Sequence, residues 1–261
     1  MRQVSARTDH VDFPRTARAT SFGSVADDYA RARPGYPQAA VRWALEHAPG
    51  SDVLDLAAGT GKLTGALLDA GLNVTAVEPL DRMRAQLELA FPNVRALPGA
   101  AEAIPLEDAS VDAVVVGQAF HWFDTGPALD EIVRVLRPGG VLAPMWNVRD
   151  DAVPWIVAMT EAGAGGGDML SMMGGDDWEL LDGDTRFSSP ERRDFPNPEP
   201  FDTERLLALA RSTSALATME PDERAGVLER LAKLTHEHPD LRDHPTFTMP
   251  LVTVAVRSSR A

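Results

Sequence analysis

Val53-Leu54-Asp55-Leu56-Ala57-Ala58-Gly59-Thr60-Gly61-Lys62-Leu63-Thr64 is the stretch whose reading decides the fold. Val53 to Leu56 is an apolar run interrupted by one acid and reads as a short buried strand. The Ala-Ala-Gly-Thr-Gly segment carries too little side chain for helix or core, and Leu63 to Leu72 returns to helical spacing. Strand, glycine turn and helix, in that order, form a unit that cradles nucleotides. Glycine suits the turn because a Cβ would hold the backbone away from a ligand and because the turn can require positive φ. A tight strand-to-helix turn with no ligand is the plain alternative.

The acids around the turn select among ligands. A dinucleotide fingerprint needs Gly-x-Gly-x-x-Gly, so that a diphosphate rests on the helix N-terminus; here Thr64 occupies the third glycine position and Asp55 precedes the loop. That carboxylate repels an anion and suits a cation, and the methionyl part of S-adenosylmethionine carries an ammonium and a sulfonium. No Walker Gly-x-x-x-x-Gly-Lys-Ser/Thr can be written through these residues. A second acid, Glu78, ends the next strand-like run, Leu72 to Val77. It lies roughly 20 residues beyond the loop, where a carboxylate can accept hydrogen bonds from both hydroxyls of an adenosine ribose.

With the loop and both acids in place, the chain resembles the class I S-adenosylmethionine-dependent methyltransferases. Asp55 to Thr64 resembles their first motif, Val77-Glu78-Pro79 the acidic end of their second strand, and Leu136-Arg137-Pro138-Gly139-Gly140-Val141-Leu142 the turn into their fifth. Tyr29-Ala30-Arg31-Ala32-Arg33-Pro34-Gly35-Tyr36-Pro37 and Gln118-Ala119-Phe120-His121-Trp122-Phe123-Asp124 are similar to a small-molecule branch that includes trans-aconitate methyltransferase-like enzymes. The likeness runs from about Phe22 to Asn147, with a fainter echo to the C-terminus.

The resemblance implies an α/β, Rossmann-like fold: a seven-stranded, mostly parallel sheet with an N-terminal helical cover and an inserted cap. It implies S-adenosyl-L-methionine as cofactor and methyl transfer to a carboxylate or hydroxyl of a small molecule by in-line displacement. Cofactor contacts are expected at Tyr29 and Arg33, near the methionine carboxylate, and at Asp55, Ala57, Gly59, Thr60, Gly61, Glu78, Pro79, Met83 and Gln118. A surface charge is the alternative for Arg33, and a core methionine for Met83. The family usually places a polar side chain, often aspartate, where Ala100 stands. The adenine contact is therefore expected from backbone or water near Ala101 and Glu102.

Composition fits this reading. The 261 residues carry a net charge of −14, which disfavours nucleic acid, because phosphate-backbone binding draws on Lys and Arg. No cysteine is present, so disulfides and cysteine metal sites are excluded, and no metal site is expected. No apolar run approaches the ~20 residues of a membrane span, and the N-terminus lacks a signal-peptide core. A cytoplasmic protein with a small-molecule substrate and no membrane partner is expected.

Residues 1–20 read as a disordered leader, with a targeting peptide disfavoured by Asp9 and Asp12, and residues 21–261 as the methyltransferase domain. Helical patterns cover Ser24 to Arg33 and Gln38 to His47, split by the two prolines of Arg33-Pro34-Gly35-Tyr36-Pro37. Asp81 to Phe91 reads as a helix, Val94 to Leu97 as the third strand and Val111 to Val116 as the central fourth. Ligands of open α/β sheets bind at the C-terminal strand ends, so Gln118 to Phe123 should line the pocket. There His121 is the candidate general base, against a structural histidine; Phe120 and Trp122 are substrate walls or core. Pro127 to Leu136 reads as a helix ended by Gly139-Gly140, and Val141 to Trp146 as the fifth strand. Asn147 and Arg149 follow on the ligand side, Arg149 suited to grip a carboxylate, with a solvated surface arginine as the alternative.

Ala152 to Ala162 reads as a helix, and the cap is expected at about residues 150–200. Within it, Gly163 to Arg186 is rich in glycine and methionine and reads as a lid or a linker. Arg192 to Asn197 is the expected sixth strand, Thr203 to Ala210 and Pro221 to His236 are helices, and Thr246 to Val256 is the closing strand. Two other classes stay open: a nicotinamide oxidoreductase, which lacks its third glycine here, and a catalytically silent S-adenosylmethionine-binding protein.

Overall fold

A computed structural model describes residues 26–164 and 181–261. The expected leader and most of the expected lid lie outside the described residues. The deciding stretch becomes β1 (Asp52–Leu56), a glycine turn and α3 (Lys62–Asp69), preceded by α1 (Ala26–Ala32) and α2 (Gln38–Ala44). There follow β2 (Asn73–Val77), α4 (Asp81–Ala90), β3 (Arg95–Leu97), β4 (Val111–Gly117), α5 (Thr125–Val135) and β5 (Leu136–Arg149). Beyond them come α6 (Pro154–Met159), β6 (Glu191–Pro196), β7 (Glu199–Phe201), α7 (Thr203–Arg211), α8 (Ser214–Ala217), α9 (Pro221–Glu237), β8 (Phe247–Met249) and β9 (Leu251–Ser259).

The main sheet has seven strands in the order β3-β2-β1-β4-β5-β9-β6. Every neighbouring pair from β3 to β5 is parallel, and β9 runs antiparallel to both β5 and β6. Parallel strands covered on both faces must be apolar on both, and β1 and β4 are. Leu54, Leu56, Val114 and Val116 pack with Leu129 and Ile132 of α5 on one face. Val53, Ala113 and Val115 pack with Val41 of α2 and Leu63 and Leu67 of α3 on the other. Leu54 and Leu142 are wholly buried, and truncating either to Ala would cost ~2–5 kcal/mol.

A third apolar cluster builds the cap, joining Trp155, Ile156 and Met159 of α6 to Phe201, Leu206, Val227, Leu231 and Met249. Its members come from both sides of β6 in the chain; the expected 150–200 insertion accounts for α6, and the rest follows β6.

Two of the boundaries that differ from expectation are set by proline. α5 ends at Val135, before the glycine pair, because Pro138 disfavours the helical conformation at Arg137, and Leu136 is already extended. Gly139 and Gly140 instead lie within β5, where its register against β4 shifts. The closing strand is cut at Pro250, which has no N–H to give a ladder; β8 pairs with β7 and only β9 joins the main sheet.

Candidate active site

β1 delivers the chain to a turn held open by backbone conformation. Ala57 and Gly59 both have φ of +58°, the first unusual for a residue with a side chain. The Ala58 N–H donates to Val77 O at 3.1 Å, tying the turn to the end of β2. The two glycines of the turn serve different ends. A Cβ on Gly61 would stand 2.8 Å from the Phe91 ring, so glycine there lets α3 approach that ring. A Cβ on Gly59 would meet nothing nearer than Tyr29 Cε1 at 3.9 Å, so its missing side chain leaves open space beside Tyr29.

Glu78 closes that space from β2. Its Oε2 accepts from the Gly59 N–H at 2.8 Å and its Oε1 from the Leu80 N–H at 2.9 Å. A carboxylate has about four lone-pair positions, so each oxygen keeps capacity for one more donor. Burial pushes its pKa up, while the Leu80 and Gly59 N–H groups and Arg84 hold it down. Asp55 lies behind the turn, wholly buried. Thr64 Oγ1 donates to its Oδ2 at 2.5 Å, and its Oδ1 has no partner among the described residues. Burial pushes this carboxyl up to about 7 against the pull of Thr64, and Glu78 adds to the rise.

Over the C-terminal ends of β1, β2 and β4 lies a cavity of about 690 Å³, within the ~300–1,000 Å³ of small-molecule sites. Tyr29, Ala57, Gly59, Glu78, Pro79, Met83, Ala101, Glu102, Gln118 and Trp122, all singled out in the sequence, line it. Leu80, Gly99, Ala100, Gly117, Ala119, Phe123 and Asp124 complete the lining. A nucleoside with adjacent hydroxyls and a cationic tail fits this set. Glu78 has acceptor capacity for the hydroxyls and Gly59 leaves room for close approach; Asp55, expected as a cofactor contact, does not line the cavity and lies buried behind the turn with one oxygen unpartnered among the described residues.

Comparison with known proteins agrees. Residues 54–143 match a family described as methyltransferase domain. An uncharacterized methyltransferase of Mycobacterium tuberculosis (strain H37Rv) is 39% identical over 261 residues, spanning 95% of this chain and 98% of its own. The chain belongs to the class I S-adenosylmethionine-dependent methyltransferases. An uncharacterized methyltransferase of Schizosaccharomyces pombe is 34% identical over 250 residues, 92% of this methyltransferase and 97% of its own length. A solved structure from Anaeromyxobacter dehalogenans, assigned as a type II methyltransferase, superposes with a TM-score of 0.66 at 26% identity. It covers 87% of this chain and 97% of its own.

Several singled-out residues of this methyltransferase stand outside the cavity lining. Arg33 turns toward the cap, its Nε on Ser212 Oγ and its Nη2 on Ser212 O, both at 3.0 Å. Thr60 is buried, and Gly61 serves helix packing. Phe120 is core, edge-on to Phe123 and Trp146. His121 sits in a 3-10 turn with its ring centroid 4.6 Å from that of Trp122.

Asn147 is a buried junction. Its Nδ2 donates to Gly35 O at 2.9 Å, and its Oδ1 accepts from Asn197 Nδ2 at 3.1 Å and Thr253 Oγ1 at 2.5 Å. Two residues further on, burial pushes the Arg149 guanidinium down to about 10; Asp151 opposes the shift and Arg33 adds to it.

Tyr36 was not singled out in the sequence, although it stands in a quoted motif. The structure lays its hydroxyl against Gly117, where a Cβ would be 2.6 Å away. The signal available was Gly117 itself, a glycine ending an otherwise bulky strand.

Proposed function

We propose that the protein transfers the methyl group of S-adenosylmethionine to an oxygen of a small acceptor, a hydroxyl in preference to a carboxylate. One observation carries the preference: the described lining holds Glu78, Glu102 and Asp124 and no Lys or Arg, which suits a neutral acceptor beside a cationic cofactor. The net charge of −14 argues in the same direction against nucleic acid. Among the described residues no helix is long and apolar enough to cross a membrane.

In this reading Glu78 takes the ribose hydroxyls, Ala57 and Gly59 give close backbone approach, and Met83, Ala101 and Glu102 bound the adenine. Bound S-adenosylmethionine supplies an electrophilic methyl on a sulfonium and departs as S-adenosylhomocysteine. Tyr29, Ala119 and Trp122 wall the acceptor's side, excluding water and holding its oxygen in line, and such positioning is worth up to about 7–11 kcal/mol. His121, outside the cavity lining with its ring 4.6 Å from that of Trp122, is the residue assigned to receive the hydroxyl proton. A carboxylate acceptor is the second reading, favoured by Arg149 at the end of β5; it needs no base.

The test is calorimetry with S-adenosylmethionine followed by a methyl-transfer screen of phenols, alcohols and small acids. Hydroxyl products are expected, and His121→Ala should lower their formation by ~10²-fold with cofactor affinity unchanged. Methylation of carboxylates alone would replace this reading with the second, and unchanged turnover in His121→Ala would remove that residue from the chemistry.

A further inference from the structure

Gln118 follows the last residue of β4 in a backbone conformation that its side chain disfavours. Its φ is +60°, in the left-handed region that suits glycine, and strain of this kind gathers at functional sites. Two bonds to β5 hold it there. Its N–H donates to Met145 O at 2.9 Å, continuing the β4–β5 ladder, and its side-chain Nε2 donates to Asn147 O at 3.0 Å. A carbonyl oxygen accepts and cannot donate, so the second bond fixes which end of the amide is which: the nitrogen faces β5 and the oxygen is turned from it.

That oxygen is an orphan. Gln118 Oε1 is buried with no hydrogen-bond partner among the described residues, and Gln118 lines the cavity. The other buried side-chain atoms without a partner among the described residues, in Gln38, Asp55, Thr60, His121, Trp146 and Arg257, all belong to residues outside that lining. A buried acceptor whose bond is unmade is costly, which makes such an atom in a binding cavity a place for a ligand's proton.

Sheet order separates this oxygen from the part of the cavity given to the ribose. Glu78 follows β2 and Gly59 follows β1, while β5 borders β4 on the side away from both. Glu78 stands two strand spacings, ~10 Å, from β4, and the Gln118 amide is drawn further off by its bond to β5. Its neighbours in the lining, Ala119 and Trp122, wall the acceptor's side. A partner for a neutral oxygen must bring a proton. A hydroxyl does so, whereas a carboxylate has only lone pairs, which an amide oxygen repels.

We propose that Gln118 determines acceptor specificity: its Oε1 takes a hydrogen bond from the O–H to be methylated, which admits hydroxyl acceptors and turns carboxylates away. The inference rests on the hydroxyl reading above and supplies the residue that enforces it. The amide holds the hydroxyl in place before reaction and takes no proton itself.

The experiment compares the natural chain, Gln118→Leu and Gln118→Glu by calorimetry with S-adenosylhomocysteine and by methyl transfer to the phenol or alcohol that the natural chain methylates fastest. In Gln118→Leu, kcat/KM for that hydroxyl should fall by ~10-fold, as loss of one hydrogen bond predicts, with affinity for S-adenosylhomocysteine unchanged. Leucine also gives up the bond to Asn147 O, so Gln118→Glu, which keeps the shape, supplies a second measurement. Its neutral carboxyl can donate to Asn147 O and offer its other oxygen to the acceptor; once ionised, it has no proton for Asn147 O. Its rate relative to the natural chain should therefore rise as pH falls, a ratio in which His121, present in both, cancels. S-adenosylhomocysteine binding that weakens in step with the rate would give Gln118 to the cofactor. An unchanged hydroxyl rate in Gln118→Leu, or a pH-independent ratio in Gln118→Glu, would put its oxygen away from the acceptor, and any of these results overturns the proposal. If the natural chain methylates acids alone, the hydroxyl reading fails before any variant is compared, and this inference falls with it.

Discussion

The glycine turn and the strap that covers it are built by opposite means. In the turn, polar partners are close in the chain: Gly59 and Glu78 are 19 residues apart, Thr64 and Asp55 nine, Leu80 and Glu78 two. In the strap, Gly35 meets Asn147, Asn197 and Glu199 across 112, 162 and 164 residues, and Arg33 meets Ser212 across 179. The turn is complete once β1 and β2 have paired; the strap is complete only when β5, β6 and the cap have arrived. A site that binds the shared cofactor can thus be local, while the wall over it depends on contacts that span 112 to 179 residues. Damage should sort accordingly: ligand affinity suffers in the turn, and stability in the strap.

The largest effect is expected from Glu78→Ala. Two charge-assisted hydrogen bonds to ribose hydroxyls, at ~1.5–3 kcal/mol each, predict a loss of about 100-fold or more in affinity for S-adenosylmethionine. The same variant should weaken 5′-methylthioadenosine equally, because both ligands carry the ribose. Calorimetry showing normal affinity for either ligand would break the comparison at its first half.

Asn147→Ala tests the other half. It deprives Asn197 and Thr253 of their shared acceptor and leaves the Gly35 carbonyl with Asn197 alone. Stranding buried donors costs ~1–3 kcal/mol per group, so a loss of about 2–3 kcal/mol is expected. At roughly 2–4 °C per kcal/mol for a chain near this size, Tm should fall by about 4–12 °C, while 5′-methylthioadenosine still binds. An unchanged Tm with a raised KM for the acceptor would instead return Asn147 to the substrate-contacting role its position in the sequence suggests.

The same division governs what the residues disclose before folding. β1, the turn and Glu78 are legible because apolar runs, glycines and acids that act together stand within a few tens of residues, where spacing has meaning. Asn147 is expected just after a fifth strand ending at Trp146 and instead lies within β5, which runs to Arg149, and its partners Thr253 and Asn197 have no spacing to it that periodicity could reveal. Arg33 and Tyr36 share one motif, and spacing within it does not reveal that the arginine bonds Ser212 of the cap while its guanidinium stacks 4.8 Å over the Tyr29 ring, or that the tyrosine lies over the end of β4. β7 went unread because Glu199-Pro200-Phe201 carries a proline and has no alternation; it is a strand only because β8 is there to pair with it.

Asp55 lies between the halves, and its titration gives the smallest and most specific test. Its folded pKa is about 7, raised first by burial, whereas an unfolded aspartate titrates near ~3.9. Between these values the folded protein holds a proton that the unfolded chain has released. Stability of the ligand-free protein must therefore fall as pH rises from about 4 to about 7, by at most ~1.4 kcal/mol per unit, and this group adds no slope outside that window. Glu78, also raised by burial, tilts the curve the same way, so the quantity to measure is the difference between the natural chain and Asp55→Asn, which cannot titrate. A cationic cofactor favours the ionised acid and reverses the sign: its affinity should rise with pH over the same window, with a proton released on binding. Calorimetry near pH 6 in two buffers of different ionisation enthalpy reads that proton directly. If Asp55→Asn releases the same fraction as the natural chain, the buried acid takes no part in holding the cation, and the turn binds its ligand through Glu78 and the backbone alone.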